Sequence, residues 1–224
     1  RRAIDLLRAW DGAARRDRPE PLIFNAWMRA ITRDLTQELA LGPAPGEFAR
    51  ERPLLLAGVF AGTSPFCDAG GRSAAETCAE LAARALARAL AELGQRFGSD
   101  MSKWRWGDEH VARFRHQVFS RLPVIRDLVG FKIPTDGDFF TINRGAGRLG
   151  DPREPFGHVH GAGYRAIYDL ADLDASLFIV APGQSGHPLS AHWGDLARPW
   201  ADGRHVTLAG SRDELRAQGG RLRL

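Results

Sequence analysis

Over the first hundred residues the apolar positions recur with helical spacing. Arg1 to Trp10 carries Ile4, Leu6, Leu7 and Trp10 along one side, and Asp11-Gly12 ends the run. Ala13 to Pro19 is polar. Leu22, Ile23, Ala26, Trp27, Ala30, Ile31 and Leu35 then form one stripe, which predicts a helix over Glu20–Leu39. Leu41-Gly42-Pro43-Ala44-Pro45-Gly46 breaks the chain. Glu47–Phe60 reads as a further helix that Pro53 kinks or restarts. Cys67–Ser73 is a Gly-rich loop, and Ser73 and Glu76 have the spacing of a capping box. The Ala- and Leu-rich run Ala74–Phe97 is the clearest helix of the chain, closed by Gly98.

The pattern changes in the second half. Helical periodicity dominates before Leu128 and strand-like runs follow Asp138. Asp136-Gly137-Asp138 predicts a turn into a strand. Tyr164–Leu170 and Ser176–Ala181 are two β-like runs around the acidic turn Ala171-Asp172-Leu173-Asp174, the signature of a hairpin. The second run ends at Pro182-Gly183, and the polar, Gly/Pro-dense loop Gly183-Gln184-Ser185-Gly186-His187-Pro188 leaves it. The expected class is α+β. Residues 1–224 form a single region, 1–130 mainly helical and 131–224 mainly strand and loop.

Composition narrows this only slightly. The 224 residues are 44% hydrophobic and 26% charged, a globular balance. The net charge is +4, carried by arginines spread along the chain without a block of like charge, so no nucleic-acid-binding tail is expected. No apolar stretch approaches the ~18 residues of a membrane span. The chain starts Arg1-Arg2-Ala3, without an initiator Met or an apolar signal region, and is expected to be a piece of something longer. Cys67 and Cys78 match no common metal spacing. A local disulfide, and with it an oxidising compartment such as the periplasm, is the leading reading; two free buried thiols is the other.

Several residue groups invite a chemical role. Ser185 in Gly183-Gln184-Ser185-Gly186-His187 approaches a nucleophile elbow, yet His187 stands where the last Gly belongs, so a backbone-shaping loop is the better reading. His158 and His160 would share one face of a strand, but no Cys or Glu completes a metal set, and no metal or cofactor is assigned to the chain. Arg165 and Asp169, four apart on one strand, would form a polar pair on one face. Trp104-Arg105-Trp106-Gly107, His110 and His116 read as aromatic packing with hydrogen-bonded histidines.

Taken together, Tyr164-Arg165, Asp169-Leu170, Asp174, Ser176, Gly183-Gln184-Ser185-Gly186, His187-Pro188, Ser190, His192 and Asp195 resemble the C-terminal part of the penicillin acylase (penicillin amidase) family of N-terminal-nucleophile hydrolases. Leu7-Arg8-Ala9-Trp10-Asp11-Gly12, Trp104-Arg105-Trp106-Gly107 with His110, and Gly137-Asp138 through Asn143 resemble further family segments. Ala191, Trp193 and Leu196 depart from the family's Pro, Tyr and Gln. The resemblance implies an αββα sandwich, to which this chain contributes part, and an amide hydrolase acting by acyl transfer from an N-terminal Ser. That Ser, the oxyanion-hole Asn and any calcium ligands would lie outside this chain. Asp169 would be second-shell support, holding a histidine near the nucleophile. The implied partners are the remaining acylase polypeptide (α-subunit and N-terminal β portion) and a small amide substrate, a penicillin, a cephalosporin or an N-acyl homoserine lactone. The chain alone would be inactive. A non-catalytic assembly module and a self-contained hydrolase using Ser185 are the rival readings.

Overall fold

The computed structural model describes residues 1–38, 53–68, 76–208, 210, 211, 213 and 216. They divide into two compact units, Arg1–Ala112 with Pro134–His160, and Arg113–Ile133 with Gly161–Leu224.

The first unit is built on helices α1 (Arg2–Ala9), α2 (Glu20–Glu38), α3 (Pro53–Phe60) and α4 (Cys78–Phe97). The α2 stripe does what its spacing predicts. Leu22, Ile23, Ile31 and Leu35 are fully buried against Leu81, Ala85, Ala89 and Leu93 of α4. Each such aliphatic side chain removed from water contributes about 1.5–3 kcal/mol. Trp27 closes the upper side of the seam, its indole N–H donating to the Ala82 carbonyl and its ring edge-on to Phe60. Asp34 of α2 is buried in the same seam and accepts from both Arg84 and Arg88 of α4. Pro53 occupies the first position of α3, where its missing N–H costs nothing. The break at Leu41–Gly46, the stretch Glu47–Arg52 and the capping residue Ser73 lie outside the described residues.

Helix α4 starts later than expected. Glu76 and Thr77 are not helical. Thr77 is the N-cap, and its hydroxyl accepts from the Glu80 N–H while Glu80 reaches back to the Thr77 N–H, a reciprocal capping box. Glu76 instead pairs with Arg84. Cys67 and Cys78 form a disulfide that ties the first residue of α4 to the segment after α3.

Strands β1 (Val111–Phe114) and β2 (Phe131–Pro134), with the short helix α5 (Arg126–Val129) between them, pair in a two-stranded sheet along which the chain passes from one unit to the other. Strands β3 (Gly145–Ala146) and β4 (His160–Gly161) form another. The turn expected at Asp136–Asp138 is present: Asp138 Oδ1 accepts from the N–H groups of Phe140 and Thr141, and the strand after it is only the two residues of β3.

The second unit contains a three-stranded antiparallel sheet, β5 (Tyr164–Ile167), β6 (Leu177–Val180) and β7 (Val206–Thr207), with β6 central. The hairpin β5–β6 is in the expected place, with Tyr164 opposite Val180 and Ile167 opposite Leu177. Helix α6 (Ala197–Ala201) lies on the face that carries the fully buried Ile179. The fold is mixed α+β.

Candidate functional site

In the second unit the loop after β6 is shaped almost entirely by short-range hydrogen bonds. Ser185 N–H donates to the His192 carbonyl at 3.0 Å, and Leu196 N–H donates to the Pro182 carbonyl at 3.1 Å, so both ends of the segment are held by backbone. Ser185 Oγ accepts from the His187 N–H, and Ser190 Oγ from the His192 N–H, each at 3.1 Å. Gly183 is required by close approach. A Cβ there would sit 2.3 Å from the His192 carbonyl oxygen and 2.7 Å from Asp195 Oδ1.

His116 fastens this loop from another element. Its Nδ1 accepts from the N–H groups of Val118 and Phe119, so Nε2 carries the proton and donates to the Gly186 carbonyl at 2.9 Å. Trp193 packs beside His116 and Phe131, and its indole N–H donates to the Val129 carbonyl. The sequence placed His116 among hydrogen-bonded histidines; that it clamps the Gly-Gln-Ser-Gly loop carried no local signal, because donor and acceptor are seventy positions apart.

The arrangement orients one imidazole toward solvent. His192 Nδ1 is 2.8 Å from Asp195 Oδ2, three residues on, and the ring is largely exposed. A carboxylate in that position fixes the tautomer, leaving Nε2 as the outward acceptor. Ser185 Oγ is engaged by backbone, and among the described residues no histidine ring is hydrogen-bonded to it.

Arg165 and Asp169 do not form the pair expected from their spacing. Strand β5 ends at Ile167, and Asp169 lies beyond it in the turn. Its Oδ1 accepts from the N–H groups of Ala171 and Asp172, and its own N–H donates to Ser176 Oγ. Arg165 instead donates to the Trp200 carbonyl and lies over the Trp200 ring, 5.2 Å from its centroid. The carboxylate was drawn into the turn because a short acidic side chain satisfies the backbone amides that the bend leaves unpaired.

Within the first unit, His110 and His158 make a buried stack with Trp106. His110 lies flat on Trp106, centroids 4.5 Å apart, and on His158, 5.0 Å apart. Its Nδ1 donates to the Phe156 carbonyl at 2.8 Å. Nε2 is buried with no hydrogen-bond partner, and a Cβ on Gly145 would come within 2.4 Å of it. Burial holds the His110 pKa down to about 4, against the opposing pull of the Phe156 carbonyl. His158 is fixed by Thr135 Oγ1 at 2.7 Å. His160, expected to share a face with His158, is exposed while His158 is buried, because only His160 belongs to β4 and His158 sits in an isolated bridge with Ala112. Among the described residues no group of three His, Cys, Asp or Glu side chains is placed to hold a metal ion.

The family model described as Penicillin amidase matches residues 1–217. The chain belongs to the penicillin amidase family. Among curated relatives, penicillin acylase 2 proenzyme of Pseudomonas sp. (strain SE83) is 33% identical over 116 residues, half of this chain. The acyl-homoserine lactone acylase QuiP of Pseudomonas aeruginosa is 26% identical over 126 residues. In both cases the match covers 14% of the relative's length. Among solved structures, the thermostable penicillin G acylase from Alcaligenes faecalis aligns with all of this chain and 42% of its own, at 17% identity and a TM-score of 0.53. At that identity the likeness is one of fold, that of part of a penicillin acylase. For a penicillin amidase chain, the Gly183–Asp195 segment is then a built loop of backbone bonds, with Ser185 serving the turn. No helix among the described residues is long and apolar enough to cross a membrane.

Proposed function

We propose that this chain is the C-terminal part of an acylase that cleaves an acyl group from an amine, a β-lactam nucleus being the first candidate, with an N-terminal Ser outside these residues as the nucleophile. The observation that carries this reading is the penicillin amidase match over residues 1–217, together with the small share of each curated relative that the chain spans. The mechanism is acyl transfer: the Ser hydroxyl adds to the amide carbon, donors stabilise the oxyanion, the amine leaves with a proton, and water releases the acid. In this scheme the present residues are scaffold, and any calcium is held elsewhere. Asp169 supports a histidine near the nucleophile. The partner is the remaining acylase polypeptide, made as a self-cleaving precursor, and the compartment is the periplasm or outside the cell, in keeping with the Cys67–Cys78 disulfide.

The second reading is an acylase for N-acyl homoserine lactones, favoured by the likeness to QuiP. Intact mass and N-terminal sequencing of the purified sample are the first test. A companion chain beginning with Ser, and release of acid from penicillin G or an N-acyl homoserine lactone only when that chain is present, is the expected result. Hydrolysis by the 224-residue chain alone, lost in Ser185→Ala, would overturn it. Asp169→Asn separates catalysis from scaffold: support of a histidine requires kcat to fall with KM unchanged and the pH profile to shift, whereas a turn role alone changes only the melting temperature.

A further inference from the structure

A cavity of 330 Å³ lies in the first unit between α2, α4 and the segment Pro152–Phe156. Its walls have two characters. Ala26, Ala89, Leu93, Pro152, Pro155 and Phe156 supply an apolar floor, and three guanidinium groups, Arg29, Arg33 and Arg96, stand at it. Glu92 lines the cavity too, and each arginine already has a partner. Arg29 Nε donates to the Leu149 carbonyl at 2.7 Å. Arg33 pairs with Glu92, and Arg96 donates to Glu109 at 2.5 Å. Glu92 also reaches Arg29, at 3.7 Å, so one carboxylate serves two cations. Of the charged groups that line the cavity, three are cations and one, Glu92, is an anion. Arg29, mostly buried, is destabilised as a cation first by desolvation and then by Arg33, with Arg96 and Arg88 adding to it. Guanidinium groups in such a place recognise a planar anion through paired N–H donors.

The geometry points to a binding site in this cavity for a small organic monocarboxylate, its carboxylate at the Arg29, Arg33 and Arg96 guanidinium groups in competition with Glu92, and its apolar body against Leu93, Pro155 and Phe156. The excess of cations at the lining favours an anion. No part of the cavity belongs to the loop that follows β6, and the site does not depend on the hydrolytic reading.

The test is calorimetric titration of the purified protein with cyclohexanecarboxylate, using the neutral cyclohexanecarboxamide as control. The expected result is binding of the acid and not of the amide. Arg33→Gln should weaken it at least about tenfold, the scale of a lost hydrogen bond to a charged group. Glu92→Gln, which frees both arginines, should tighten it, and this opposite sign keeps the test decisive if Arg33→Gln folds poorly. Equal binding of acid and amide, no binding of either, or weaker binding in Glu92→Gln overturns the assignment.

Discussion

Lowering the pH from 7 to 4 should destabilise the first unit through His110, and the size follows from where the ring is placed. His110 is sandwiched between Trp106 and His158, and its one hydrogen bond, from Nδ1 to the Phe156 carbonyl, is already made by the neutral form. A second proton would go to Nε2, which is buried without an acceptor. The folded protein therefore holds the ring neutral, with a pKa of about 4 against 6.5 when unfolded. Below pH 6.5 the unfolded chain binds the proton and the folded chain does not, so stability falls as pH falls, and the loss is complete once pH passes below the folded pKa. At about 1.4 kcal/mol per pH unit the contribution is about 3 kcal/mol, a large part of the 5–15 kcal/mol typical of a domain. Urea unfolding followed by tryptophan fluorescence at pH 7, 5.5 and 4 measures it. Carboxylates also titrate in this range, so the quantity to read is the difference between the wild type and His110→Gln, which cannot titrate. The wild type should lose about 3 kcal/mol more than the variant between pH 7 and pH 4. Parallel losses, or a His110 ring resonance titrating near pH 6.5 in the folded protein, would refute the reasoning.

Other perturbations have equally definite outcomes. Cys78→Ser opens a short loop whose closure is worth about 3 kcal/mol in chain entropy, and its urea midpoint should equal that of the wild type under reductant. Asp34→Ala leaves Arg88 without its carboxylate while Arg84 keeps Glu76, and should cost about 1–3 kcal/mol, read as a lower thermal midpoint. Gly183→Ala forces a Cβ onto the His192 carbonyl and should cost about 1–3 kcal/mol, with a melting temperature lower by roughly 2–10 °C. An unchanged melting curve for Gly183→Ala would mean that the loop is looser than its hydrogen bonds require.

The helices and the hairpin were legible because their signals are local. The stripe from Leu22 to Leu35 and the Ala/Leu run after Thr77 repeat every turn, and Asp172-Leu173-Asp174 between two β-like runs defines a bend within a dozen residues. The family motifs were legible for the same reason: Gly183 to Asp195 is contiguous and its bonds are nearly all to near neighbours. What sequence could not supply were pairings across long separations. His116 meets Gly186, Thr135 meets His158, and Arg29 meets Leu149, and nothing in the local spacing of either partner announces the other. Asp169 failed differently. A period of two placed it beside Arg165, but the strand stopped at Ile167, and the local demand of the turn for an acceptor outweighed the strand geometry.

The Asp34–Arg84–Arg88 cluster has a consequence for how α2 finds its place on α4. The buried face of α4 is a row of small residues, Ala82, Ala85 and Ala89, set between Leu81, Leu86 and Leu93. Advanced by one turn, about 5.4 Å, that row offers nearly the same contour, so apolar contact alone tells the two alignments apart only weakly. The ion cluster tells them apart sharply. In the slipped alignment the almost wholly shielded Asp34 carboxylate would keep only one of its two cations and meet Glu80 or Glu92, one turn on from Arg84 and Arg88, in place of the other. The cluster acts as a vernier: greasy surfaces supply the grip, and a single acid sets the notch in which the helices stop.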